Sequence, residues 1–259
     1  MENITLSVDD EGIALLVLNR PQALNALNVP LMQELRAALE DMAADDSVRV
    51  LIITGSGRAF CAGADLTQNA LRGDEGASIG ELVADSMKRE FNPMMEMIYA
   101  FPRPVVTALN GIAAGGGAGL ALCADLVIAS EQAAIKVVQV QQLGIAADLG
   151  ANWLLQRIAG RGRALAACLL ADTIPAATLQ EWGMVWECVP ADQLLDRARD
   201  QARKLAQVPA ETVLATRALV DDSSACTYIQ SLEQERQCQQ KLCNAPVFME
   251  LVGQFVAKK

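Results

Sequence analysis

The sequence predicts an α/β core followed by a helical C-terminal region. Short β-branched and apolar runs recur up to about Pro190, helical periodicity separates them, and beyond that point strand signals stop. The runs Ile4 to Val8, Ile13 to Leu18, Val48 to Thr54, Pro104 to Leu109, Leu126 to Ala129 and Ile135 to Val138 are each bounded by turn or helix signals and read as strands. Between the second and third, Asn28 stands where an N-cap belongs and Pro30 is tolerated in a first turn. Leu31, Leu35, Leu39 and Met42 then form one apolar face. Past Pro190, Asp192 to Gln207, Pro209 to Asp221 and Ile229 to Val256 read as helices. Two regions result, a core over residues 1–190 and a helical region over 191–259.

Of 259 residues, 52% are hydrophobic, enough for a substantial core. The 31 Asp and Glu outnumber 21 Lys and Arg, and a formal charge of −10 repels polyanions, so nucleic acid is not an expected partner. The longest apolar passage, Val105 to Ala129, is interrupted by Asn110, glycines and Asp125, which suits a buried strand-turn-helix and not a membrane span. The opening MENITLSVDDEG is acidic where an export signal would be basic, and seven cysteines show no C-x-x-C pairing. Both features predict a cytoplasmic protein with free thiols.

Histidine is absent. That removes Ser-His-Asp and Cys-His machinery and any His-containing zinc site, and leaves Asp and Glu as the leading proton carriers, ahead of tyrosine, lysine or a thiol.

Two stretches read as backbone cradles. In RAFCAGADL (58–66), the small residues Ala62, Gly63 and Ala64 let a ligand approach the main chain, although an ordinary tight turn has the same composition. Gly115, Gly116 and Gly117 sit between a strand and an apolar helix running toward Asp125. Unpaired amides at a helix start suit a developing oxyanion, or the glycines simply let the helix pack closely on a sheet. No dinucleotide fingerprint or phosphate loop fits.

NRPQALNAL (19–27), RAFCAGADL (58–66), PVVTALNGIAAGGGAGLALCADLVIAS (104–130) and LGIAAD (143–148) together resemble the crotonase (enoyl-CoA hydratase/isomerase) superfamily in order and spacing, essentially end to end. The resemblance implies a coiled ββα core that binds an acyl-CoA thioester, and C-terminal helices that build a homotrimer or a dimer of trimers. It implies no metal or redox cofactor, CoA entering as part of the substrate. It assigns the oxyanion hole to the N–H groups of Ala64 and Gly116. Ala62, Gly63, Ala64, Asp65 and Leu66 then line the CoA pocket, with Gly115 beside Gly116 at the substrate.

Hydratases of that superfamily carry two glutamates, at positions where this chain has Gly119 and Val140. A subgroup with LGL-x-x-D-x-G resembles LGIAADLG (143–150), in which Asp148 matches the acidic residue. This passage and EWGMVWECV (181–189) resemble ring-epoxide isomerases of phenylacetyl-CoA degradation, and the AAD triplet is similar to that of dienoyl-CoA isomerases. Flanked by Ala146, Ala147 and Leu149, Asp148 is expected in an apolar pocket that raises its pKa, or as the cap of a helix beginning at Leu149.

The expected function is an acyl-CoA isomerase that moves a double bond or rearranges a ring, with Ala64 and Gly116 stabilising an enolate while Asp148 carries the proton. The alternatives are a hydratase using Asp148 and water, and a non-catalytic acyl-CoA- or RNA-binding homologue. Gly73 to Ile79 and a helix around Phe91 to Tyr99 are expected to cover the acyl pocket. Asp125 is read as a helix end, Trp153, Trp182 and Trp186 as core or interface, and Arg58 and Lys241 as solvated or, alternatively, as meeting phosphates.

Overall fold

The computed structural model describes residues 2–66 and 77–257, so the expected acyl cover at 73–76 lies outside the described residues. The chain begins with an antiparallel hairpin of β1 (Ile4–Val8) and β2 (Ile13–Leu18), both with the predicted bounds. Helix α1 (Val29–Ala44) follows, capped by Asn28, whose side chain accepts from the Leu31 amide at 3.0 Å. Its buried face is the predicted stripe Leu31, Leu35, Leu39 and Met42, extended by Met32 and Ala38.

From there a pattern repeats three times: a long strand, a turn, a short strand, then helix. Strand β3 (Val50–Gly55) turns into β4 (Ala59–Cys61), and α2 (Ile79–Ser86) and α3 (Asn92–Tyr99) follow, joined by a π turn at Met87–Phe91. Strand β5 (Val105–Leu109) turns into β6 (Ile112–Ala114), and α4 (Gly116–Leu122) follows. Strand β7 (Leu126–Ser130) turns into β8 (Ala134–Lys136). A second π turn, Gln139–Leu143, then leads to α5 (Ala151–Leu170), broken at Gly160. The structure thus repeats a ββα unit although the sequence shows no repeat. Next come β9 (Ile174–Pro175), α6 (Ala176–Glu181), β10 (Glu187–Val189), α7 (Leu194–Leu205), α8 (Ala210–Asp222), α9 (Tyr228–Leu242) and α10 (Pro246–Ala257).

Among the described residues the strands form two sheets, a six-stranded one in the order β1-β2-β3-β5-β7-β10 and a four-stranded one in the order β4-β6-β8-β9. Every pair from β2 to β10 in the long sheet is parallel. All six residues of β3 and all five of β5 are buried, as expected of parallel strands covered on both faces. One cover is α7, whose Leu194, Ala198 and Ala202 pack on Ile13, Val50, Ile52, Val106, Ala108 and Ile128.

Helix α7 therefore joins the core although it lies beyond residue 190. Helices α8, α9 and α10 bury no residue. The helix expected over Ile229 to Val256 is two helices, because Pro246 cannot continue α9 and starts α10 instead. Asp125 proves to be a tie and not only a helix end: it accepts from the Val105 amide and pairs with Arg217 of α8. Trp153 and Trp186 are 45% and 67% exposed, which takes both out of the core. No helix of the described residues is long and apolar enough to cross a membrane.

Candidate active site

The loop after β4 is laced to the segment 19–27 by backbone bonds. Ala62 N–H donates to Leu24 O at 3.0 Å, Leu27 N–H to Gly63 O at 2.7 Å, and Asp65 N–H to Leu27 O at 2.9 Å. Side chains lock the same junction. Arg20, itself buried, pairs with Asp65 at 3.0 Å and donates to Ala26 O at 2.6 Å, while Asn25 bonds Ala59 O and the Arg20 amide. Asp65 thus stands behind the loop as its anchor. Leu66, at the front, is 55% exposed.

Gly63 joins this loop to the glycine triplet. Its φ is +88°, and a Cβ there would stand 2.8 Å from Ala114 O and 3.0 Å from the Gly116 nitrogen, so only glycine fits. The Ala62 to Ala64 loop and the Gly116 amide, distant in sequence, are therefore neighbours in space. Among the described residues, neither the Ala64 amide nor the Gly116 amide is taken up by a hydrogen bond. Two free donors near one another at a loop and the first turn of α4 suit a developing oxyanion.

The close-packing reading of the glycines holds at Gly117 and Gly119. A Cβ on Gly117 would meet Cys61 O at 2.2 Å, which is a packing requirement. Gly119 is closed more firmly still: a Cβ there would lie 2.1 Å from Leu149 O. The place to which the resemblance assigns one hydratase glutamate is filled by the backbone of the turn that follows Asp148. Val140, at the other such place, packs partly buried against the core.

Asp148 is half-buried beside this cradle, its Oδ1 3.3 Å from where a Cβ of Gly116 would be. Burial pushes its carboxyl above the ordinary 3.8, and a hydrogen bond from Gln139 Nε2 to Oδ1 at 2.9 Å opposes that shift. The capping alternative does not hold. Helix α5 starts at Ala151, its N-cap Gly150 makes no side-chain cap bond, and Asp148 offers Ala151 only its backbone oxygen, at 3.0 Å. Leu149 and Gly150 both have positive φ, +49° and +78°, and this left-handed step turns the carboxylate toward Gly116 while pressing Leu149 against α4.

Gln139 is the residue that sequence reasoning missed. It is 3% exposed at the first position of the second π turn, next to Val140. As one glutamine in a mixed apolar and polar stretch it carries no motif. Lys241 lies elsewhere, in a shallow pocket with Glu211, Leu214 and Cys238, and Arg58 is exposed. A cavity of about 1270 Å³ lined by Tyr99, Asp125, Trp153, Arg157, Trp186 and Arg217 contains none of the predicted site residues.

Known proteins bear out the architecture. The model of the enoyl-CoA hydratase/isomerase family matches residues 9–259. The 1,2-epoxyphenylacetyl-CoA isomerase of Escherichia coli K12 is 36% identical over 259 residues, covering 100% of this chain and 97% of that protein. The 2,3-dehydroadipyl-CoA hydratase of the same organism is 34% identical over 227 residues, 88% of this chain and 85% of that protein. Among solved structures, an enoyl-CoA hydratase from Bacillus anthracis superposes with a TM-score of 0.90 at 30% identity, covering 99% of this chain and 97% of that one. With fold and sequence agreeing, and the family model matching from residue 9 to the end, the chain belongs to the crotonase (enoyl-CoA hydratase/isomerase) superfamily.

Proposed function

We propose that the protein is an acyl-CoA isomerase with a single carboxylate as acid and base. The observation that carries this reading is the pairing of Asp148 beside Gly116 with the closure of Gly119 by Leu149 O. The thioester oxygen accepts from the Ala64 and Gly116 amides. Asp148 takes a proton from a carbon of the acyl chain, the C–H electron pair moves into the enolate, and the carboxylic acid so formed, whose proton exchanges with solvent, delivers a proton to another carbon and is a carboxylate again. Each amide donor is worth about 3 to 4 kcal/mol of transition-state stabilisation. CoA enters as part of the substrate.

The E. coli isomerase carries its substrate in its name, and that likeness favours a ring-bearing acyl group. A hydratase reading, with Asp148 activating water, is favoured by the 34% identity to a hydratase. The two differ in product: isomerisation leaves the substrate mass unchanged, and hydration adds one water. A panel of acyl-CoA thioesters followed by mass spectrometry decides between them.

We also place α8 to α10 at an interface between copies, because Met249 and Val256 of α10 are 68% and 64% exposed despite their apolar character. Light scattering that finds a trimer or a pair of trimers supports this; a monomer at micromolar concentration removes it.

A further inference from the structure

Gln139 is buried at 3% exposure and lies at the start of a π turn, a local widening of the helix ladder that recurs at functional positions. The two ends of its amide are treated unequally. Nε2 donates to Asp148 Oδ1 at 2.9 Å, whereas Oε1 is shut off from solvent and has no hydrogen-bond partner among the described residues. The orientation follows from chemistry, since an ionised carboxylate only accepts and must face the NH₂ end.

An unpartnered buried amide oxygen is destabilising, and a methionine would fill the same space without it. Packing alone therefore gives no reason for glutamine here; its donor end does. The amide also lies beside Gly115, 3.6 Å from where a Cβ of that glycine would be, so it adjoins the cradle as well as the carboxylate.

We infer that Gln139 is a positioning residue that anchors Asp148 through Oδ1 and leaves Oδ2 as the proton-accepting oxygen. The inference rests on the reading of Asp148 as the base. Gln139 exchanges no proton: the proton moves from substrate carbon to Asp148 and back, and Gln139 only holds the acceptor. Among the described residues no charge competes for this task. The π turn Gln139–Leu143, α4 and the first turn of α5 carry no charged side chain toward Asp148, and burial and hydrogen bonds alone move its carboxyl.

The test is Gln139→Met, with Gln139→Leu as a second variant should the first fold poorly, and Asp148→Asn in parallel. Two readouts are taken: the pH profile of isomerisation, and the Asp148 titration followed by carboxyl carbon NMR, with the Asp148 signal identified by its loss in Asp148→Asn. Losing a donor to the charged form raises the carboxyl, so the acid limb and the NMR titration should both move up by about one pH unit. Plateau turnover should fall less than about tenfold, since the base is still present. A uniform loss at every pH with an unmoved titration would overturn the inference and leave Gln139 as packing. If Asp148→Asn stays active, the reading of the base fails, while the titration still decides whether Gln139 tunes Asp148.

Discussion

Among the described residues the Ala64 amide sits on a loop fastened by three backbone bonds to segment 19–27 and by the buried Arg20–Asp65 pair, whereas the Asp148 carboxylate, beside a left-handed turn, has one side-chain bond, from Gln139. The cradle is made of main chain, and its geometry survives changes of side chain so long as glycine stays at the close approaches. The carboxylate is a side chain on a turn, and turns tolerate change. The chain accordingly has glycines at 115 to 117, no carboxylate at 119 or 140, and one at 148.

The comparison breaks most visibly at Asp148. Asp148→Asn keeps the size and the backbone bond to Ala151 but removes the proton acceptor, so turnover should fall by roughly 10² to 10⁴ in steady-state assays with CoA binding retained. Stability should not fall with it. The folded carboxyl is raised above its unfolded value, so the proton is held more tightly in the native state. Its contribution to stability is present below about pH 3.8 and is lost as pH rises through the raised value. Thermal melts at neutral pH should therefore show the variant as stable as the parent or slightly more so.

Asp65→Asn acts on the other half and in the other currency. It leaves Arg20 as a buried cation without its ion partner, and denaturant unfolding should show a loss of about 3 to 5 kcal/mol. Gly63→Ala is smaller: a positive φ and contacts at 2.8 and 3.0 Å cost about 1 to 3 kcal/mol, and turnover falls because the loop shifts off the Gly116 amide. Least in magnitude is the pH effect on the intact protein. The acid limb of its activity should lie above the ordinary 3.8 of an aspartate, because burial is the largest influence on Asp148.

Much of this fold was legible in the sequence because long strands and α1 announce themselves by periodicity. Strands β4, β6 and β9 did not: they are two or three residues long, built of Ala, Cys, Phe, Ile and Pro, and too short to alternate. The break at Pro246 is marked in the sequence by the proline itself, within an otherwise helical composition. At the site, the glycines and Asp148 could be named from motif resemblance, and their approach to one another required the fold. Gln139 was invisible because its meaning depends on a π turn that brings it to a carboxylate nine residues later. The closure of Gly119 was equally hidden, since it depends on where Leu149 O comes to rest.

The central claim is that Asp148 moves a proton between carbons of a thioester held by the Ala64 and Gly116 amides. It is tested most directly in deuterated water, by following an acyl-CoA that the protein converts with mass spectrometry and proton NMR, in the parent chain and in Asp148→Asn. The account predicts that the parent yields a product of unchanged composition, with deuterium appearing at the carbons that lose or gain a proton, and that Asp148→Asn does neither. A product carrying an added water, or undiminished exchange in Asp148→Asn, would contradict it.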